Sequence, residues 1–131
     1  VPVAQALARQ PGPLHVRDLP AEIIGLTDDD PLGRRLLAEC GAQGVAPQAR
    51  ITVQTYQLAR ALAESGLGLT VVDPFTAAAA DRQRVRVRVL EPALPVTLHL
   101  LSPGAAPLSQ AARRLVRHLR EAAEACLHPP D

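Results

Sequence analysis

RITVQTYQLARALAESGLGLTVVDPFTAAA, residues 50–79, reads in one pass as strand, helix, strand and helix start. Arg50-Ile51-Thr52-Val53 is a short run with β-branched residues, as a strand requires. From Thr55 to Ser65, Leu58, Ala59 and Leu62 recur at helical spacing, and Gly66-Leu67-Gly68 breaks the pattern. Leu69-Thr70-Val71-Val72 is the next strand. Asp73-Pro74 joins a good N-cap to the residue favoured at the first helical position, and opens a short helix through Ala80. Strand–helix alternation of this kind predicts a parallel α/β sheet.

Working outward, the same grammar recurs upstream. Ile23-Ile24-Gly25-Leu26 is a short apolar run suited to a buried strand, expected to be central and parallel to 50–53 and 69–72. Asp28-Asp29-Asp30 precedes Pro31 and a helix to about Gln43, with Leu32, Leu36, Leu37 and Cys40 as its apolar stripe and Gly41 and Gly44 as its stop. Downstream the period changes to two. Arg82, Arg84, Arg86 and Arg88 alternate with Val85, Val87 and Val89, predicting a strand with a wet arginine face. A connector at Glu91–Pro95 leads to a further strand, Val96–Leu101, and a loop, Pro103–Pro107. Ser109 then caps a long amphipathic helix to about Cys126, with Ala112, Leu115, Val116, Leu119 and Ala123 inward, and His128–Asp131 is a tail.

The bulk properties narrow the function classes. The 131 residues suit one domain or a lobed part of one, and 47% hydrophobic with 21% charged is a globular balance. A net charge of +1 gives no bias toward nucleic acid or an anionic membrane. With Val at position 1 and no Met, a fragment or processed chain is expected; the Arg-only, Ala-rich usage points to a GC-rich source. Cys40 and Cys126 are far apart and outside any CxxC, so idle thiols in a reducing compartment are expected. No apolar run approaches the roughly 18 residues of a membrane span, and the first ten residues lack a secretory pattern.

Several chemistries fail on pattern. Asp28–Asp30 suits a hard cation in principle, but no EF-hand spacing or second acidic cluster accompanies it, and helix capping explains it. No GxSxG occurs, and His15, His99, His118 and His128 are scattered, so no metal, cofactor or catalytic residue is expected. Gly66-x-Gly68 follows a helix and precedes a strand, the reverse of a phosphate-binding loop. The arginine row lacks aromatic interleaving, since Tyr56 and Phe75 are the only aromatics. One constellation survives: Thr27-Asp28, Gln54-Thr55-Tyr56 and Asp73-Pro74-Phe75 all fall at strand C-terminal ends. In a parallel α/β sheet these ends face a common crevice, where helix N-termini offer free N–H groups to a carboxylate. Thr27, Asp28, Gln54, Thr55, Tyr56, Asp73 and Phe75 are therefore the candidate ligand-binding residues, although each strand end also suits a plain helix start.

The run from Gln54 to Ala77 resembles the effector domain of LysR-type transcription regulators, in which a helix ends in a Gly-x-Gly segment, a buried strand follows, and a proline-led turn closes the unit. Val16-Arg17-Asp18-Leu19-Pro20 resembles the family's Asp-Leu lead-in to a strand, and Pro107–Arg113 resembles its final helix. The Asp73-Pro74-Phe75-Thr76 turn most resembles the branch that senses opines and lysine-pathway amino acids. The family's His-Pro-Leu-Ala is replaced by Ala6-Leu7-Ala8 without His-Pro. The resemblance implies a type 2 periplasmic-binding-protein-like α/β fold in two lobes. Residues 1–97 would be the second lobe, and 98–131 would return to the first with its strand and C-terminal helix.

That resemblance implies a small-molecule effector, possession of a DNA-binding domain outside this chain, a cytoplasmic location and no catalysis. A homo-oligomer is expected too, because the final strand edge and helix face would stand uncovered, and such surfaces recruit another chain. The competing reading is a lobe of a periplasmic solute-binding protein or transport component, which shares the fold. A small α/β enzyme would need a nucleophile–base pair or metal triad at the strand ends, and neither pattern is present.

Overall fold

The structure, a computed structural model, describes residues 1–102 and 107–127. The chain divides into two compact units, Val1–Val96 and Thr97–Asp131. Most of the expected loop at 103–107 and the tail at 128–131 lie outside the described residues.

The first unit opens with 3₁₀ turns at Ala6–Arg9 and Val16–Asp18, the latter preceded by the two-residue strand β1, Leu14–His15. Strand β2 spans Glu22–Leu26, helix α1 Pro31–Ala42, strand β3 Gln48–Val53, helix α2 Tyr56–Glu64 and helix α3 Pro74–Ala78; strand β4, Leu90–Glu91, pairs in parallel with β1. β2 and β3 are parallel, from Glu22 opposite Gln48 to Leu26 opposite Val53, with a register shift between Ile23 and Ile24. On its other side β2 meets the segment 69–72 in parallel, at a single bridge between Ile24 and Thr70. β2 is thus central, as its unbroken apolar run predicts. The third pairing is shorter than expected. The Ile24 N–H donates to the Leu69 carbonyl (2.8 Å), and the Thr70 hydroxyl donates to the Ile24 carbonyl (3.0 Å). A side-chain donor therefore sits on an acceptor that a longer ladder would use.

Each helix starts where local chemistry directs it. Asp30 caps α1 by accepting from the Gly33 N–H at 2.6 Å, Thr55 caps α2 from Leu58 N–H at 3.2 Å, and Asp73 caps α3 from the Phe75 and Thr76 N–H groups, each at 2.9 Å. Pro31 and Pro74 follow two of these caps at the first helical position, where a missing N–H costs nothing. Gly44 takes a positive φ of 73° beyond α1. Gly41, expected to share in the stop, is still inside the helix.

The pleat of β2 sends Ile23 and Ile24 to opposite faces, and each face builds its own core. Ile23 packs with Leu14, Val16, Leu36, Cys40 and Leu69 on the α1 side. Ile24 packs with Val53, Ala59, Ala63 and Val85 on the α2 side. Two stripe assignments need correction. Leu37 is 53% exposed on α1, and Leu58 is 48% exposed on α2, where Ala63 is the buried partner of Ala59. Leu62, as expected, packs against this core from a half-buried position, while Leu58 falls beyond the contact.

The expected strand at 82–89 is not continuous. Val85 bridges Pro2 antiparallel, flanked by Val3 N–H to Arg84 O (3.0 Å) and Arg86 N–H to Val1 O (2.8 Å); then Val89 O accepts from Leu14 N–H (2.8 Å) as the chain joins β1. A change of partner midway breaks the ladder, and Val89 is left 72% exposed. Arg88 is no wet-face residue either. Its guanidinium donates to the carbonyls of Leu7 (2.9 Å), Gly12 (3.0 Å), Pro13 (2.6 Å) and Pro11 (3.5 Å). Arg82, Arg84 and Arg86 are exposed as predicted.

Among the described residues the expected strand at 96–101 carries no ladder; a strand needs a hydrogen-bonded partner, and hydrophobicity supplies none. Helix α4 spans Gln110–Leu127, with Ser109 accepting from the Ala112 N–H (3.1 Å) as predicted. No residue of α4 is buried, and Leu115 and Leu119 are 59% and 48% exposed.

Candidate ligand-binding site

The C-terminal ends of β2, β3 and the 69–72 segment lie side by side, because the strands are parallel and β2 is central. The ladder runs one residue past β2, where the Thr27 N–H donates to Val53 O (3.2 Å), and a tight turn follows in which Asp30 N–H donates to Thr27 O (2.9 Å). Thr27 is half-buried and Asp28 is exposed at this turn. The nearby Thr27 side chain, with the backbone of Asp29 itself, holds the Asp29 carboxyl below its ordinary pKa.

Most of the predicted site residues already have work within the fold. The Thr55 hydroxyl is the cap of α2. Both oxygens of Asp73 are engaged: Oδ1 by two backbone N–H groups and Oδ2 by the Thr76 hydroxyl (2.5 Å). The Tyr56 hydroxyl donates to Asp30 Oδ1 at 2.6 Å, a bond between residues 26 apart in sequence. Burial, this bond, and the charges of Asp30 and Asp73 push the Tyr56 hydroxyl well above its usual pKa. Phe75 is half-buried beside the cap. Gln54 is exposed, and among the described residues neither its amide nor the Asp28 carboxylate has a hydrogen-bond partner. The groups open to a ligand on this wall are therefore Gln54, Asp28 and the first N–H groups of α2.

Sequence reasoning missed Asp30. It serves two helices at once, accepting from Gly33 N–H with one oxygen and from Tyr56 with the other. The Asp-Pro pair marked it as a cap; nothing local marked the tyrosine. A second tie backs the wall from α2. Arg60 lies 3.4 Å from Glu64 and donates to the Ala79 carbonyl (2.9 Å), while Glu64 accepts from the Asp81 N–H (3.0 Å), holding the end of α3 in place.

Also missed was a groove of about 540 Å³ between α1 and the sheet. Its mouth includes Thr27 and Asp28, but Gln54, Thr55, Tyr56, Asp73 and Phe75 do not line it. Gly25 pairs with Thr52 in the ladder, but the register shift brings Ala49 close, and a Cβ at Gly25 would lie only 2.9 Å from that of Ala49. This small pair leaves the sheet face low beneath Leu37. Among the described residues no cluster of His, Cys, Asp and Glu suits a metal ion, and no helix is long and apolar enough to cross a membrane.

Comparison with known families decides the identity. The LysR substrate binding domain profile matches residues 1–124. The chain belongs to that family. As a LysR substrate-binding domain it is an effector-sensing module of a LysR-type regulator, with the periplasmic-binding-protein-like α/β fold of that family. LysR-type regulators are transcription factors that bind small-molecule effectors and DNA. This favours the regulator over the solute-transport reading. The LysR domain is also similar to the HTH-type transcriptional regulator DgcR of Pseudoalteromonas sp., 37% identical over 57 residues. That match covers 44% of this chain and 20% of the relative, so the chain spans only a small part of that protein's length. No solved structure gives a significant match.

Proposed function

We propose that the chain senses a small metabolite bearing both a carboxylate and an ammonium group, an amino acid or an opine, at the C-terminal ends of its parallel strands. The observation that supports this most is convergence. Gln54 and the unpaired N–H groups at the start of α2 follow Val53, whose carbonyl accepts from the Thr27 N–H just before Asp28, at the strand ends where α/β sheets take ligands. The N–H groups and the Gln54 amide suit the carboxylate. Asp28 suits the ammonium, whereas both oxygens of Asp73 are taken up within the fold. Thr27, Thr55, Tyr56, Asp73 and Phe75 shape the wall from behind. The chain acts as a binding module and not as an enzyme, since the polar side chains at the strand ends serve as caps and ties.

On this reading residues 1–97 are the second lobe and 98–131 return to the first. Effector binding shifts a pre-existing population toward a closed pair of lobes and repositions DNA-binding heads borne by the whole, oligomeric regulator in the cytoplasm. The test is Gln54→Ala in the full-length regulator, read by a reporter against a panel of L-amino acids and their N-carboxyalkyl derivatives. Losing one or two hydrogen bonds, about 1–3 kcal/mol, should weaken the response roughly 5- to 100-fold. Arg86→Ala, on an exposed side chain, is the control. A normal response in Gln54→Ala with a weakened one in Arg86→Ala places the site on another surface.

A further inference from the structure

The groove under α1 has the shape and charges of a binding site in its own right. Its volume, about 540 Å³, lies within the range of small-molecule pockets. Its walls are largely apolar: Ile23 from the sheet, and Leu32, Leu36 and Leu37 from α1. Its floor is low because Gly25 has no side chain, and a Cβ there would meet the small Ala49 side chain at 2.9 Å. The charged residues on its lining are Asp28 and Arg34, one of each sign. Among the described residues neither side chain makes a hydrogen bond or an ion pair, and Arg34 is close enough to the turn to act on the neighbouring Asp29.

A carboxylate and a guanidinium that do not neutralise each other, set beside an apolar trough, complement a zwitterion with a hydrocarbon tail. Arg binds a carboxylate as a planar fork, and Asp takes an ammonium. We propose that this groove is a ligand site for an α-amino acid with a linear aliphatic side chain: its ammonium on Asp28, its carboxylate on Arg34, and its tail between Leu37 and the Gly25–Ala49 floor. The site differs from the strand-end wall of the preceding reading in its apolar trough and in Arg34, and shares Thr27 and the ammonium anchor Asp28 with it, so the two exclude each other's ligand.

The proposal fixes a rank order. L-2-Aminooctanoate should bind about tenfold more tightly than L-norleucine, because two more methylenes leave water. Octanoate and heptylamine, each lacking one charge, should bind at least tenfold more weakly than 2-aminooctanoate. Isothermal titration gives the affinities, and amide chemical shifts of Gly25, Gly33, Ala49 and Thr52 report the location. Arg34→Met removes the fork from an exposed position and Ala49→Leu fills the floor; each should lower the affinity for 2-aminooctanoate at least tenfold. Gln54→Ala should leave it unchanged. Binding that is lost in Gln54→Ala and kept in Arg34→Met overturns the groove and supports the strand-end wall. No binding of 2-aminooctanoate, or equal binding of octanoate, overturns the groove while leaving that other reading untouched.

Discussion

Replacing Tyr56 by Phe removes one atom and tests how the two helix starts are tied. The hydroxyl donates to Asp30 Oδ1 at 2.6 Å, and Asp30 keeps its second bond to the Gly33 N–H. Hydrogen bonds to charged groups contribute about 1.5–3 kcal/mol. Tyr56 is half-buried, so water recovers part of this on mutation. The carboxylate is not orphaned, because its cap bond remains. A loss of about 1–2 kcal/mol in urea denaturation is expected. The pH dependence has a definite sign. The folded pKa of Tyr56 is raised, by burial first and by the Asp30 bond second, above the unfolded value near 10. Its contribution is therefore complete below pH of about 10 and is lost as pH climbs toward the folded value. Tyr56 is the only tyrosine and the chain has no Trp, so phenolate absorbance titrates this one group without interference. A phenolate appearing near pH 10 in the folded protein, or a Phe variant as stable as the parent, refutes the tie.

Other perturbations probe features that lie far apart in sequence. Arg88→Ala should cost about 2–3 kcal/mol in chemical denaturation, because the part-buried carbonyl of Leu7 loses its donor and three more exposed carbonyls revert to water; Arg86→Ala should change stability by less than about 0.5 kcal/mol, and equal effects would mean that the clamp does not hold the 7–13 segment. Gly25→Ala should destabilise by about 1–3 kcal/mol through contact with the Ala49 side chain, and Ala49→Gly in the same chain should recover most of it; thermal melts showing no recovery would move the strain elsewhere.

Helix starts were open to reading in the sequence because their chemistry is local. Asp30-Pro31, Thr55, Asp73-Pro74 and Ser109 each cap a helix through bonds spanning three residues or fewer, so neighbours in the chain suffice. The central place of β2 was legible too, since a run apolar on both faces must be covered on both. Tertiary structure decided the rest. Whether 82–89 or 96–101 forms a strand depends on a partner elsewhere in the chain, and alternation alone supplies none. Whether Leu37 and Leu58 are buried depends on which side of each helix the sheet covers, and helical spacing alone does not set the edges of that face. Parallel order places the C-terminal ends of β2, β3 and the 69–72 segment side by side, as the sequence implied. Only the folded chain revealed that Thr55, Tyr56 and Asp73 spend their polar atoms on the fold, leaving Asp28, Gln54 and Arg34 open. Hydrogen-bonding capacity is finite, and bonds between residues as distant as Tyr56 and Asp30 are drawn by packing, which no local pattern encodes.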